Sequence, residues 1–149
     1  MEKKSIPTHA EGETFTSLKL SNSSFDGYSF SNCSFIECDF TESSFEGASI
    51  WGCTFTACNL SLITLKQCVM HNVLFNGCKL AGVNFSSCDT SLLFSINAHK
   101  SYFQYCNFSA LPMQKASFKE CVIHNSKFID TVLQKSSFEA SDFAGTTFN

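Results

Sequence analysis

Nine cysteines are the residues here with the most chemistry available to them: Cys33, Cys38, Cys53, Cys58, Cys68, Cys78, Cys88, Cys106 and Cys121. Thiolates bind soft metals and attack electrophiles. Their spacing serves neither purpose. No CxxC pair occurs, and neighbours such as Cys33/Cys38 and Cys53/Cys58 stand five apart. Cys38, Cys58 and Cys78 recur at twenty, yet none of the four histidines (His9, His71, His99, His124) falls in their register to complete a site. The chain has no GxSxG, HExxH, phosphate-loop or dinucleotide fingerprint. Asp39, Asp89 and Asp142 follow small residues, where an Asp bonds its own turn. The expectation is no catalytic residue, no metal and no cofactor, and thus no enzyme.

What the cysteines share is a place in a beat. Read in fives, one column is large and apolar: Phe15, Leu20, Phe25, Phe30, Phe35, Phe40, Phe45, Ile50, Phe55, Leu60, Leu65, Met70, Phe75, Leu80 and Phe85. It resumes three residues out of phase, from Phe103 and Phe108 through Met113, Phe118, Ile123, Phe128, Leu133, Phe138 and Phe143 to Phe148. Of the seventeen Phe, only Phe94 is off this column, and all nine Cys stand two residues before it. A helix repeats near 3.6 and a half-buried strand at 2, so neither gives this pattern one buried face. A chain that turns a corner every five residues does. Four such sides close a coil of twenty, and coils stack at the strand spacing of ~4.8 Å. The column then fills the axis, with Phe15, Phe35, Phe55, Phe75, Phe103, Phe118 and Phe138 as core markers. The cysteines become small buried hydrophobes.

The units CSF, CDF, SSF, CTF, CNL, CKL, CNF, ASF, SDF and TTF, each followed by two mostly polar residues, resemble the pentapeptide-repeat family and its A(D/N)LXX pattern. The likeness runs over about residues 13–149. It implies an all-β fold, a right-handed quadrilateral β-helix of about seven coils. The cysteine- and Phe-rich stretches CSFIECDF, SSFEGAS and ASFKECVIHNSKF are similar to the Qnr and microcin-immunity branch. Members of that branch imitate DNA and protect DNA gyrase and topoisomerase IV from quinolones or peptide toxins. The C-terminal dimerisation helix of those proteins has no counterpart here.

One domain follows from the length. Residues 1–12 lack the beat and read as a tail or cap; residues 13–149 form the solenoid, with sub-columns 13–90 and 101–149. Between them, residues 88–100 admit two parses. A truncated unit turns Leu93 and Ala98 inward; an eight-residue loop over 93–100 leaves Phe94 and His99 exposed. Pro112 has no N–H for a ladder and suggests a bend or loop near 109–115. Phe143 and Phe148 close the column and need cover, from a partner end, a homodimer or further residues.

Outward positions carry the remaining signal. Residues 11–60 hold seven acidic residues and one Lys, whereas 61–149 hold seven Lys and five acidic residues; there is no Arg. Asp26, Glu37, Asp39, Glu42 and Glu46 are candidate contacts to a basic protein surface, with Phe94 and His99 as loop contacts. DNA gyrase or topoisomerase IV is one such partner, and an interaction scaffold or effector domain with some other protein partner is the alternative. No basic patch with interleaved aromatics occurs, so direct nucleic-acid binding is not expected. No apolar run approaches the ~20 residues of a membrane span. An odd cysteine count without a signal peptide points to a reducing cytoplasm. If the cysteines line the interior, thiol titration of the native protein will be slow, with a fast phase only after denaturation. Nine fast native thiols contradict the register.

Overall fold

The computed structural model describes residues 5–149. The chain winds as a square solenoid whose four faces are stacks of parallel strands or single bridges, each residue pairing with the one about twenty further on. Face one carries β1 (His9–Glu11), β3 (Ser29–Ser31), β5 (Ser49–Trp51) and β7 (Val69–His71). Face two is a six-stranded sheet of β2 (Thr14–Thr16), β4 (Ser34–Ile36), β6 (Thr54–Thr56), β8 (Val73–Asn76), β10 (Ile96–His99) and β12 (Phe118–Lys119). Face three starts as the bridges Lys19–Asp39–Asn59–Lys79 and becomes the sheet of β9 (Lys79–Ala81), β11 (Tyr102–Gln104) and β13 (Val122–His124). Face four is bridged through Ser24, Ser44 and Thr64 and ends in β14 (Lys127–Phe128) with β15 (Thr147–Phe148). The expected all-β quadrilateral coil of about seven turns is what the chain forms.

Two residues after almost every central residue, the chain enters the left-handed region; after Phe85 a short 3-10 turn takes its place. Gly12, Gly27, Gly47, Gly52, Gly77, Gly82 and Gly145 adopt the left-handed conformation, and so do residues with side chains, such as Glu37 (φ 54°), Glu42 (φ 60°) and Lys115 (φ 63°). That conformation costs a non-glycine residue on the order of 1 kcal/mol, and it is what turns the corner. At Gly52 and Gly145 an added Cβ would meet the Oδ1 of Asn32 and of Asn125, one coil back, so those side chains would have to move aside.

The central residues fill the axis. Rings stack along a face: Phe35 on Phe55 at 4.8 Å and 11°, Phe85 on Phe108 at 4.8 Å and 9°, Phe108 on Phe128 at 4.7 Å and 11°. Around a coil they meet edge to face, as Phe30–Phe35 at 89° and Phe35–Phe40 at 77°. Both geometries suit the ring quadrupole.

The position two before the centre does more than fill space. Its side chain donates to the carbonyl of the central residue at the same corner one coil earlier: Ser43 Oγ to Leu20 O (2.7 Å), Thr131 Oγ1 to Phe108 O (2.7 Å), Cys58 Sγ to Phe35 O (3.2 Å), Cys78 Sγ to Phe55 O (3.1 Å). Several of the hydroxyls at that position also accept the backbone N–H stacked on them. Cys78 N–H donates to Ser101 Oγ (3.0 Å), Cys106 N–H to Ser126 Oγ (3.1 Å) and Cys121 N–H to Ser141 Oγ (3.0 Å). One small side chain thus satisfies two buried backbone groups that no strand reaches.

The structure revises the reading of 1–12 and of the break. His9–Glu11 is a strand paired with β3, and Ala10 is buried as a central residue, so the coil begins inside the segment assigned to a tail. At the break neither parse holds whole. Cys88 and Asp89 follow the coil, with Asp89 N–H donating to Cys68 O. Thr90–Leu93 then bulge outward, and Phe94 returns to the axis opposite Met70, since Ser95 N–H donates to Met70 O. Ile96 and Ala98 resume β10, with Ala98 against Phe75. Ala98 points inward as the truncated unit required, but Leu93 is exposed; Phe94, exposed in the loop parse, is buried. Four residues are inserted and one corner residue is lost, which is the net shift of three. The small Ala98 is accompanied by the large, buried Ile96 at the neighbouring inward position. One contiguous core crosses the break.

The bend expected near Pro112 is also absent. Pro112 bridges Val132 in register, between buried Leu111 and Met113. Its missing N–H faces the coil where the bulge has replaced the ladder, so no hydrogen bond is lost there. At the far end the column opens: Leu133, Phe138 and Phe143 are half-buried and Phe148 is exposed.

Two substitutions test this. Phe55→Asp places an unpaired charge on the axis and should abolish the folded state in far-UV circular dichroism. Ser101→Ala should cost about 1–3 kcal/mol in denaturant unfolding, because Cys78 N–H and Phe75 O lose their buried partner, whereas Ser101→Cys should cost much less.

Candidate protein-binding surface

The corner geometry decides which acidic side chains reach solvent. Glu37 and Glu42 occupy the corners on either side of face three in the second coil, and both are exposed. Asp39 lies between them on the face itself, half-buried beneath Lys19, the residue it bridges. Asp26 and Glu46 stack on face four in the first and second coils, both exposed. The five carboxylates predicted from sequence therefore share two adjoining faces of the first two coils.

They are not equivalent. Asp39 is committed to its turn: its Oδ1 accepts Thr41 Oγ1–H at 2.5 Å and Thr41 N–H at 3.0 Å. The Thr41 hydroxyl, then its backbone N–H, hold the carboxyl below the ordinary aspartate range. Asp26 accepts the Ser44 hydroxyl and, at 3.0 Å, the Glu46 N–H, which ties the first coil to the second. Glu46 is 3.8 Å from Lys66 Nζ, an exposed pair of small energetic worth. Glu37 and Glu42 are the exposed corner carboxylates of the set.

The two loop contacts do not join this patch. Phe94 is buried in the column and is no partner-binding residue in this structure. His99 lies on face two of the fifth coil, half-exposed, with Nε2 3.2 Å from Glu120 Oε2. Lys100 Nζ is 3.9 Å from the same oxygen. A second such pair, His124 Nε2 to Asp142 Oδ2 at 2.8 Å, keeps the Asp142 carboxyl low.

The interior holds no poised nucleophile in these positions. Every cysteine is buried and free. Burial pushes Cys53 up to about 11, Cys68 to about 12 and Cys106 to about 11, so these stay protonated and unreactive near neutrality. Cys78 moves the other way because the Cys58 thiol donates to it. Among the described residues no three His, Cys, Asp or Glu gather to hold a metal ion, and no helix is long and apolar enough to cross a membrane. The cavities are shallow: about 240 Å³ where Ile6 covers Leu20, Phe25 and Tyr28 at the first coil, and about 280 Å³ between Leu62, Gly82 and Asn84.

Sequence reasoning missed an apolar face. Trp51 is 38% exposed on face one, and Leu92 and Leu93 of the bulge are 83% and 46% exposed. Trp51 occupies an outward place in the beat, which is the signal that could have marked it. The Leu pair falls within the interruption, where register alone gives no direction.

The family model for the pentapeptide repeat region matches residues 28–97. No curated protein matches. Among solved structures, a trypsin-treated form of QnrB1, a plasmid-mediated fluoroquinolone resistance protein, is similar at 14% identity, covering 100% of this chain and 88% of that one, with a TM-score of 0.43. The pentapeptide-repeat protein Rfr23 of the cyanobacterium Cyanothece is similar at 10% identity over 95% of this chain and 92% of that one, with a TM-score of 0.35. HetL of Nostoc, involved in heterocyst differentiation regulation, shares 9% identity over 89% and 87%, with a TM-score of 0.23. The chain thus carries a pentapeptide repeat region over residues 28–97, and the beat of five and the square coil continue on both sides of it.

Proposed function

We propose that this chain is a non-enzymatic protein-binding module that docks its acidic second coil on a basic surface of a protein partner. The observation that carries this is the placement of Glu37 and Glu42 on rigid corners beside Asp39, Glu46 and Asp26. The backbone ladder fixes these carboxylates before binding, so little ordering entropy opposes association. A rigid rod with fixed negative charge competes with the DNA backbone for a basic groove. DNA gyrase or topoisomerase IV, shielded from quinolones or peptide toxins, is therefore the first partner to test.

A specific feature favours a second reading, an interaction scaffold or effector domain for another protein. The carboxylates stop after two coils: Lys19 adjoins Asp39, and Lys66 pairs with Glu46. The acidic patch is thus on the order of 10 Å tall at strand spacing, shorter than a DNA segment.

Gyrase supercoiling in ciprofloxacin, with and without micromolar protein, separates the two. The topoisomerase reading predicts rescue that weakens as salt rises and falls by roughly tenfold or more in Glu37→Lys/Glu42→Lys. Absence of rescue by folded protein removes topoisomerases as the partner. Rescue unchanged by the charge reversal removes the acidic coil as the contact.

A further inference from the structure

Face one differs from the other three. Beyond Glu11 in the first coil, its outward strand positions carry no Lys or Glu, and Asp89 at the foot of the bulge is its one acidic residue. Its apolar members are Trp51, Val69, Leu92, Leu93, Pro112 and Val132. Trp51 is held by ring contact with His71 at 4.8 Å, and His71 Nδ1 is 3.3 Å from Ser95 Oγ, at the base of the bulge. The face is therefore flat and neutral, with one anchored aromatic and one projecting Leu pair.

The positions of these features are self-complementary. Trp51 lies in the third coil, Met70 in the fourth, and the bulge leads into Phe94 in the fifth. A two-fold axis lying in the face and crossing the fourth coil exchanges the third and fifth coils. We propose that face one is a self-association surface on which two copies pack antiparallel, with Trp51 of each against Leu92 and Leu93 of its partner. The same axis sets Glu11 in the first coil opposite the partner copy's seventh coil, where Lys135 occupies the corner beside face one. The parallel arrangement would bring bulge level with bulge and Glu11 level with the partner's Glu11.

An isologous contact of this kind is closed and makes a dimer, not a fibre. Seven coils at ~4.8 Å give a strip ~30 Å long, and a width of ~15 Å gives ~450 Å² per copy, below the ~800 Å² per partner of a standard stable interface. The dimer should accordingly be weak and dissociate on dilution. This inference does not depend on the identity of any other partner.

Sedimentation velocity from ~1 µM to ~1 mM, read together with the emission of Trp51, the chain's only Trp, tests it. The proposal predicts a monomer at the low end, a dimer at the high end and a blue shift that tracks the mass. Trp51→Ser and Leu92→Ser/Leu93→Ser should each weaken association at least tenfold, with circular dichroism and melting temperature near those of the parent because these side chains are exposed. Glu11→Lys should weaken it, and adding Lys135→Glu should restore it. A folded monomer throughout, a doubled mass without change in Trp51 emission, or a dimer indifferent to all three substitutions would each overturn the proposal, the last by assigning association to another surface such as the open final coil.

Discussion

A chain that turns every five residues must leave backbone groups at each corner beyond the reach of any strand, and the rest of this structure depends on how those groups are satisfied. At many corners a Ser, Thr or Cys side chain two residues before the centre spans the gap; at Ala48, Cys68 and Ala116 the corner N–H donates instead to the carbonyl three residues back. The spanning side chain donates to a central carbonyl one coil away and, at several of the hydroxyls, also accepts the N–H stacked on it. Buried backbone groups left unpaired at every corner would cost more than the marginal stability of a domain of this size. The requirement explains why Ser, Thr and Cys recur there, and why cysteines stand at buried positions.

The same constraint shapes the surface. Because nearly every corner takes the left-handed conformation, each such corner side chain projects at a fixed angle, whatever its identity. Glu37 and Glu42 at corners, and Trp51 and His71 on a flat face, are held in place without a loop or a lid. The departures are the tight 3-10 turn at Phe85–Ser87 and the bulge that follows at Thr90–Leu93. There a missing corner residue is compensated by Ser95 Oγ, which accepts the Asn72 N–H at 2.7 Å. The acidic coil and the apolar face with its bulge lie on different sides, so a partner contact and a self-contact do not compete for the same residues.

The architecture was legible in the sequence because a period of five leaves so few geometries. Sixteen Phe on one column name the axis, and burial of Phe15 through Phe128 follows. Other features were not legible. Ala10 is too small to mark a beat, so the first strand was hidden in the apparent tail. Phe94 was misplaced because a bulge ahead of it and a lost corner after it cancel to a phase shift of three, which does not locate either event. Pro112 reads as a bend until the neighbouring ladder is seen to be absent. The five carboxylates were found from charge alone, but only the coordinates separate exposed Glu37 and Glu42 from Asp39, which is spent on Thr41. The hydrogen-bonding role of the cysteines was missed, since burial and size already accounted for them.

Amide hydrogen exchange at the corners is the most direct test of this account. The N–H groups of Cys78, Cys106 and Cys121 have no strand partner and bond instead to Ser101, Ser126 and Ser141 Oγ. If those side-chain bridges carry the fold, these amides will be protected as strongly as the ladder amides of Phe55 and Phe75, and will exchange only with global unfolding. Exchange at the rate of solvent-exposed amides in the folded protein would show that the corners are held by packing of the column alone, and would contradict the central claim.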